Sequence, residues 1–233
     1  FIIGLPRSGS TLIESIISSG IEKVENLGET NLINWALLNT YRNFNNLLIQ
    51  NEKIDIDVDK VFEKFNRSIK NLNINKKEKK IFFSEKSLEN FYYIELILNM
   101  YPNTKFIHPY RNLTDNVFAI YKQFLPNISW SHSIENILLY IDNYLNTLDY
   151  FKKKYSNKIL SISLKNFTEN TESISKEIFE FCDLKWSDKC LNFYKRNDLF
   201  INTASNNQMR SNIKKYDVRK YGPYKEILNI YLK

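Results

Sequence analysis

Phe1-Ile2-Ile3-Gly4-Leu5-Pro6-Arg7-Ser8-Gly9-Ser10-Thr11-Leu12-Ile13-Glu14-Ser15-Ile16-Ile17 opens the chain, and its pattern decides the fold. Three apolar residues read as a strand. A glycine-bearing loop follows, and then Leu12, Ile13, Ile16 and Ile17 recur at helical spacing as far as Ser18-Ser19-Gly20, a helix stop. Strand, loop and helix in this order form the first half of a βαβ unit. In such a unit the loop meets a helix N-terminus, whose unpaired N–H groups and dipole attract an anion. Gly4 permits a tight turn, Gly9 allows close backbone approach, Ser8, Ser10 and Thr11 add hydroxyl donors, and Arg7 adds a fixed positive charge. The whole chain holds only five glycines and five prolines, yet Gly4, Pro6 and Gly9 fall within its first nine residues. The stretch reads as a phosphate cradle.

Outward from this loop, further strands and helices alternate. A helix starts near Thr30, carrying Leu32, Ile33, Trp35, Ala36 and Leu37. Residues 52–79 are polar and lysine-rich, with a weak helical pattern at Val61-Phe62 and Phe65, and read as a surface excursion. Strands are expected at Lys80–Ser84, Lys105–His108 and Ile159–Leu164. Helices are expected through Tyr93–Leu98, Val117–Phe124, 134–155 and from Ser173 to Cys182, with short helices and a Gly222-Pro223 turn near the C-terminus. This alternation implies a three-layer α/β/α domain with a central parallel sheet and right-handed crossovers. No linker or internal repeat divides it, so residues 1–233 are expected to form one domain, cut from a longer chain because it begins on a strand without a methionine.

Of the 233 residues, 43% are hydrophobic and 25% charged, enough for a sizeable core and incompatible with a disordered tail. No apolar run approaches the roughly 20 residues that span a bilayer. Cys182 and Cys190 are too few for a disulfide scaffold or a four-ligand zinc site. With 33 Lys+Arg against 26 Asp+Glu, the formal charge of +7 favours anionic partners. Two lysine runs, Lys76-Lys77-Glu78-Lys79-Lys80 and Lys152-Lys153-Lys154, read as solvated faces, and no aromatic-basic motif points to nucleic acid.

The loop nearly fits the nucleoside-triphosphatase pattern G-x-x-x-x-G-K-[ST], but Ser10 stands at the lysine position. Ile81–Glu85 is only a weak approach to a strand ending in a magnesium-binding acid. The loop therefore reads as one that holds a phosphate group without transferring it. A P-loop nucleotide kinase or triphosphatase is the competing assignment.

Gly4-Leu5-Pro6-Arg7-Ser8-Gly9-Ser10-Thr11-Leu12 closely resembles the donor-binding loop of sulfotransferases that use 3′-phosphoadenosine-5′-phosphosulfate (PAPS) and release 3′,5′-bisphosphoadenosine (PAP). Its Pro-Arg-Ser-Gly form is most similar to the tyrosylprotein and bacterial tetratricopeptide-linked branches. Tyr101–Ile107 through Arg111 resembles the strand leading to the family's 3′-phosphate arginine. Phe181-Cys182-Asp183-Leu184-Lys185-Trp186 and Thr203–Arg210 with Tyr216 and Lys220-Tyr221 resemble two later landmarks in the family's order. The resemblance implies a P-loop-like sulfotransferase fold. It also implies in-line transfer of a sulfuryl group to a hydroxyl acceptor, with cations in place of a metal.

By that resemblance Arg7, Ser8, Gly9, Ser10 and Thr11 hold the 5′-phosphosulfate, Lys86 sits near the bridging oxygen, and Arg111 grips the 3′-phosphate. Ser205 lies beside the sulfate, and Gln208, Arg210 and Lys220 close over the nucleotide. Glu29, in Leu27-Gly28-Glu29-Thr30, resembles the glutamate base of the tyrosylprotein branch, and His108 is its rival; His132 has no recognisable setting. Ala119, Gln123 and Leu164 depart from the family pattern around the nucleotide, with Lys122, Thr114 and Tyr121 as candidate compensators. The acceptor stays open among protein tyrosine, carbohydrate and small alcohol. The compartment would be the cytoplasm of a bacterium or the Golgi lumen of a eukaryote.

Overall fold

A computed structural model describes residues 1–21, 24–42, 55–72, 82–196, 211–217 and 219–231. The strands are β1 (Val24–Gly28), β2 (Phe82–Glu85), β3 (Phe106–Tyr110) and β4 (Ile159–Ser163). Parallel pairing joins β1 to β2 and β3 to β4, in the registers Val24↔Phe82 and Phe106↔Ile159. The opening residues link the two pairs: Ile2 N–H donates to Glu85 O, Ile3 N–H to Ile107 O and Ile107 N–H to Phe1 O, each at 2.9 Å. Phe1–Ile3 thus lies centrally, flanked by β2 on one side and β3 on the other. From it the chain runs to one edge and later to the other, and the loops at the C-terminal end of the sheet diverge around a crevice.

The helices are α1 (Ser10–Ile17), α2 (Leu32–Tyr41), α3 (Val58–Asn71), α4 (Ile94–Met100), α5 (Leu113–Gln123), α6 (Ile134–Lys154), α7 (Leu164–Glu169), α8 (Thr171–Phe181) and α9 (Lys225–Tyr231) among the described residues. Alternation along the strands splits the core in two. Ile2 and Ile107 face Leu12, Ile13 and Ile16 of α1 and Ile178 and Phe179 of α8. Ile3 and Phe106 face the other layer, built from Ile33, Phe65, Ile97, Val117, Ile137 and Tyr144. The three-layer α/β/α expectation holds, and the chain folds as helices on both faces of parallel strands.

The reading of residues 52–79 as a surface excursion is corrected for its described part. In α3, Val61 and Phe65 are fully buried and belong to the core. Val58, Val61, Phe62, Phe65 and Ile69 form one apolar stripe on a lysine-rich helix, and Asp57 caps it by accepting the Lys60 N–H at 3.1 Å. The residues of β1, Val24-Glu25-Asn26-Leu27-Gly28, carry too little alternation to be read as a strand, and pairing with β2 makes them one. The helix expected from Ser173 to Cys182 is α8, the short helix α7 precedes it unforeseen, and a 3₁₀ turn, Leu88–Tyr93, precedes α4. Tyr144 and Phe151 are buried, and Tyr140 stacks on Trp130 with ring centroids 3.8 Å apart, as core aromatics.

Candidate active site

The loop between Phe1–Ile3 and α1 turns through two left-handed residues, Arg7 at φ 66° and Gly9 at φ 106°. Gly4 is required for a different reason: a Cβ there would lie 2.8 Å from Ser8 Oγ and 3.2 Å from Pro109 O. Asn116 of α5 fastens the loop by donating from Nδ2 to Pro6 O at 2.8 Å, and Arg111 Nη1 donates to Arg7 O at 3.2 Å. No side chain caps the first turn of α1 and no acidic residue sits in it. Ser8 Oγ is buried without a hydrogen-bond partner. A buried orphan hydroxyl beside an uncapped helix start is a seat shaped for an anion.

Two guanidiniums converge there. Burial, and then the like charge of Arg111, pull the Arg7 guanidinium below its ordinary pKa. Like charges held this close are compensated when an anion lies between them. Arg111 follows β3 and is steered by Tyr216: its Nε donates to Tyr216 Oη at 3.3 Å, and its guanidinium lies 5.1 Å from that ring and 5.9 Å from the Tyr221 ring. The Tyr216 hydroxyl donates to Asp115, and burial with that acceptor pushes its pKa up to about 12. Lys220 is exposed, its Nζ 5.5 Å over Tyr221. The C-terminal segment is thereby brought against the arginine to which the family resemblance gives the 3′-phosphate.

On the other side of Phe1–Ile3, three separated segments meet at Lys86. Its side chain is wholly buried and donates from Nζ to Glu29 Oε1 at 2.7 Å, with Glu14 Oε2 at 3.7 Å. The backbone makes this possible: the β1–β2 register shifts by one residue between Asn26 and Gly28, and Lys86 N–H donates to Gly28 O at 2.9 Å, tying the two strand ends together. Glu85 organises the surrounding loop. It accepts from Thr30 Oγ1 at 3.1 Å, from Ser87 N–H at 3.2 Å, and from the side chains of Ser87 and Asn90.

The sequence reading missed Glu14, and it considered Glu85 only as a weak magnesium-binding acid. Glu14 left one signal: a carboxylate within the apolar run Leu12–Ile17 of a buried helix. Burial first, and then the negative charges of Glu29 and Glu85, raise its pKa to about 7, against the opposing pull of Lys86 and the Gly28 N–H.

His108 stands apart from Lys86. It is buried, shares a hydrogen bond of 3.1 Å between Nδ1 and Ser161 Oγ, and burial lowers its pKa to about 3. It lines a cavity of about 210 Å³ with Ser8, Tyr110, Arg111, Tyr144 and Lys152. His132 stacks on Phe124, with ring centroids 5.5 Å apart. Leu164 lies against Gly9, Ala119 is buried in α5, and Tyr121 and Lys122 are exposed. Ser205, Gln208 and Arg210 lie outside the described residues.

Residues 1–188 match the model of the sulfotransferase family, and the chain belongs to that family. An uncharacterised protein of Aquifex aeolicus is 32% identical over 151 residues, 62% of this chain and 19% of that protein; the chain thus spans about a fifth of the length of this curated relative. Solved structures that share the fold include three sulfotransferases. The sulfotransferase domain from the curacin biosynthetic pathway superimposes with a TM-score of 0.59 at 13% identity, covering 97% of this chain and 90% of its own. The sulfotransferase domain of the Synechococcus PCC 7002 olefin synthase gives 0.56 at 15%, with 100% and 94% covered. Mouse sulfotransferase SULT7A1, solved in complex with PAP, gives 0.53 at 15%, with 93% and 67% covered. No helix among the described residues is long and apolar enough to cross a membrane.

Proposed function

We propose that the protein transfers a sulfuryl group from PAPS to the hydroxyl of an acceptor. The observation that carries this reading is the pair between the wholly buried Lys86 and the exposed Glu29, with Nζ 2.7 Å from Oε1, set beside an uncapped anion loop that two arginines overlook. Arg7, the Ser8 hydroxyl and the Gly9–Thr11 turn would hold the 5′ end of the nucleotide. Arg111, oriented by Tyr216 and Asp115, would hold the 3′-phosphate through its planar fork. Lys220, with Ser205, Gln208 and Arg210, would close over the nucleotide. When bound, the nucleotide supplies an activated sulfuryl group on a phosphate leaving group.

The side chains then have separate tasks. Lys86 Nζ places positive charge where the leaving oxygen gains negative charge. Glu29, with its side chain 41% exposed, reaches solvent from its pair with the buried Lys86 and accepts the acceptor's hydroxyl proton. His108 suits that task poorly, because its Nδ1 is engaged with Ser161 and burial weakens it as a base. The acceptor is a hydroxyl compound, and residues 1–233 are read as one sulfotransferase domain.

Calorimetric titration tests the reading. PAP should bind in the presence of a chelator, and Arg7→Ala should weaken that binding, whereas ATP with magnesium should bind no better than ATP alone. Magnesium-dependent binding of ATP with no binding of PAP would establish the P-loop kinase or triphosphatase instead.

A further inference from the structure

We infer that Glu14 is a positioning residue for Lys86, a second carboxylate that holds the ammonium in place when Glu29 gives up its charge to the acceptor's proton. This rests on the role of Glu29 proposed above. A wholly buried ammonium is costly unless it is paired. In the resting structure Glu29 supplies the pair at 2.7 Å, but a base that takes a proton loses its negative charge and its hold on Lys86. Glu14 is built to take over. Its side chain is 8% exposed, its Oε2 stands 3.7 Å from Nζ, and its Oε1 is buried with no hydrogen-bond partner. At 3.7 Å the contact is an ion pair just short of a hydrogen bond, so a shift of about 1 Å in Nζ completes it. An ammonium has three donors, and Glu29 occupies one.

The charged groups facing Glu14 are Lys86 and Glu85 from the end of β2 and Glu29 from the loop after β1. From the 188–196 segment packed on α1, Arg196 instead reaches Ser18 O at 2.6 Å. Because the Glu14 carboxyl titrates at about 7, its capacity to hold Lys86 is present above neutrality and lost below it.

The test is the pH profile of sulfuryl transfer from PAPS to a phenol acceptor by wild type, Glu14→Gln and Glu14→Asp. The wild-type kcat should fall as pH drops through about 7. Glu14→Gln should lack this limb and run at the wild type's low-pH level, on the order of 10-fold below it at pH 8, with KM for PAPS little changed. Glu14→Asp, which keeps a carboxylate, should restore the limb.

A second readout needs no activity. Glu14 holds its proton longer folded than unfolded, so wild type loses stability relative to Glu14→Gln as pH rises from about 4.5 to about 7. The Tm of Glu14→Gln minus that of wild type should therefore be larger at pH 8 than at pH 5, by on the order of 5 °C. An active enzyme whose Glu14→Gln variant keeps wild-type kcat and limb overturns the inference and leaves the sulfotransferase reading intact. A Tm difference independent of pH overturns it too, since Glu14 would then be a packing residue. Wild type inactive with PAPS refutes the transfer reading, and with it the hand-over from Glu29, and the pH-dependent Tm difference then marks Glu14 only as a buried carboxyl.

Discussion

Replacing Gly9 by alanine probes the proposed phosphate loop at the point where its geometry is least tolerant. Gly9 has φ 106°, and a Cβ there would sit 2.7 Å from Leu164 Cδ1, with Leu164 Cγ and Cδ2 at 3.6 and 3.7 Å. The left-handed backbone costs an L-residue about 1–2 kcal/mol. The overlap meets the end of a flexible side chain, so Leu164 can turn aside at about 0.5–1.5 kcal/mol. Together these give about 1.5–3.5 kcal/mol against the anion-ready loop, or roughly 10- to 400-fold in PAP affinity if the loop relaxes to another conformation when empty. Calorimetry with PAP measures this directly, and a urea titration shows how much of the cost falls on global stability. Leu164→Ala separates the two causes. In that background Gly9→Ala should lose only the backbone share, about 1–2 kcal/mol, because the side chain it struck is gone. Wild-type PAP affinity and stability in Gly9→Ala would refute the claim that this conformation builds the site. An equal penalty in both backgrounds would refute the role of Leu164.

Three further outcomes are expected. Arg111→Ala should weaken PAP by about 10- to 100-fold and abolish any preference for PAP over adenosine 5′-monophosphate, since a charge-assisted contact contributes about 1.5–3 kcal/mol; competition binding measures both. Phe65→Ala in α3 should destabilise the fold by about 3–5 kcal/mol in urea denaturation, as removal of a fully buried ring does, whereas a surface excursion would lose almost nothing. His108 titrates at about 3 when folded and at 6.5 ordinarily, so the unfolded chain takes up a proton first and wild type loses stability as pH falls below 6.5. By pH 5 this loss is about 2 kcal/mol, and His108→Gln should be free of it in pH-dependent denaturation curves.

The anion loop was legible in the sequence because its causes are contiguous. Gly4, Arg7, Ser8 and Gly9 lie within six positions, and each acts through its own backbone or a near neighbour. Arg111 was singled out only through the family resemblance of the stretch that leads to it, whereas the alternation of strands with helices implied the three layers. Glu29 and Glu14 lie 57 and 72 positions from Lys86, and no local pattern joins them. They meet because β2 runs between β1 and the central Phe1–Ile3 segment, which brings the ends of two strands and a buried turn of α1 together. The residues Val24-Glu25-Asn26-Leu27-Gly28 are extended because β2 offers a ladder, and α3 is core because a cluster of Phe83 and Tyr101 receives its Phe65. Local chemistry and periodicity are written into neighbouring residues, whereas burial and charge pairing depend on which distant segments the sheet order places side by side.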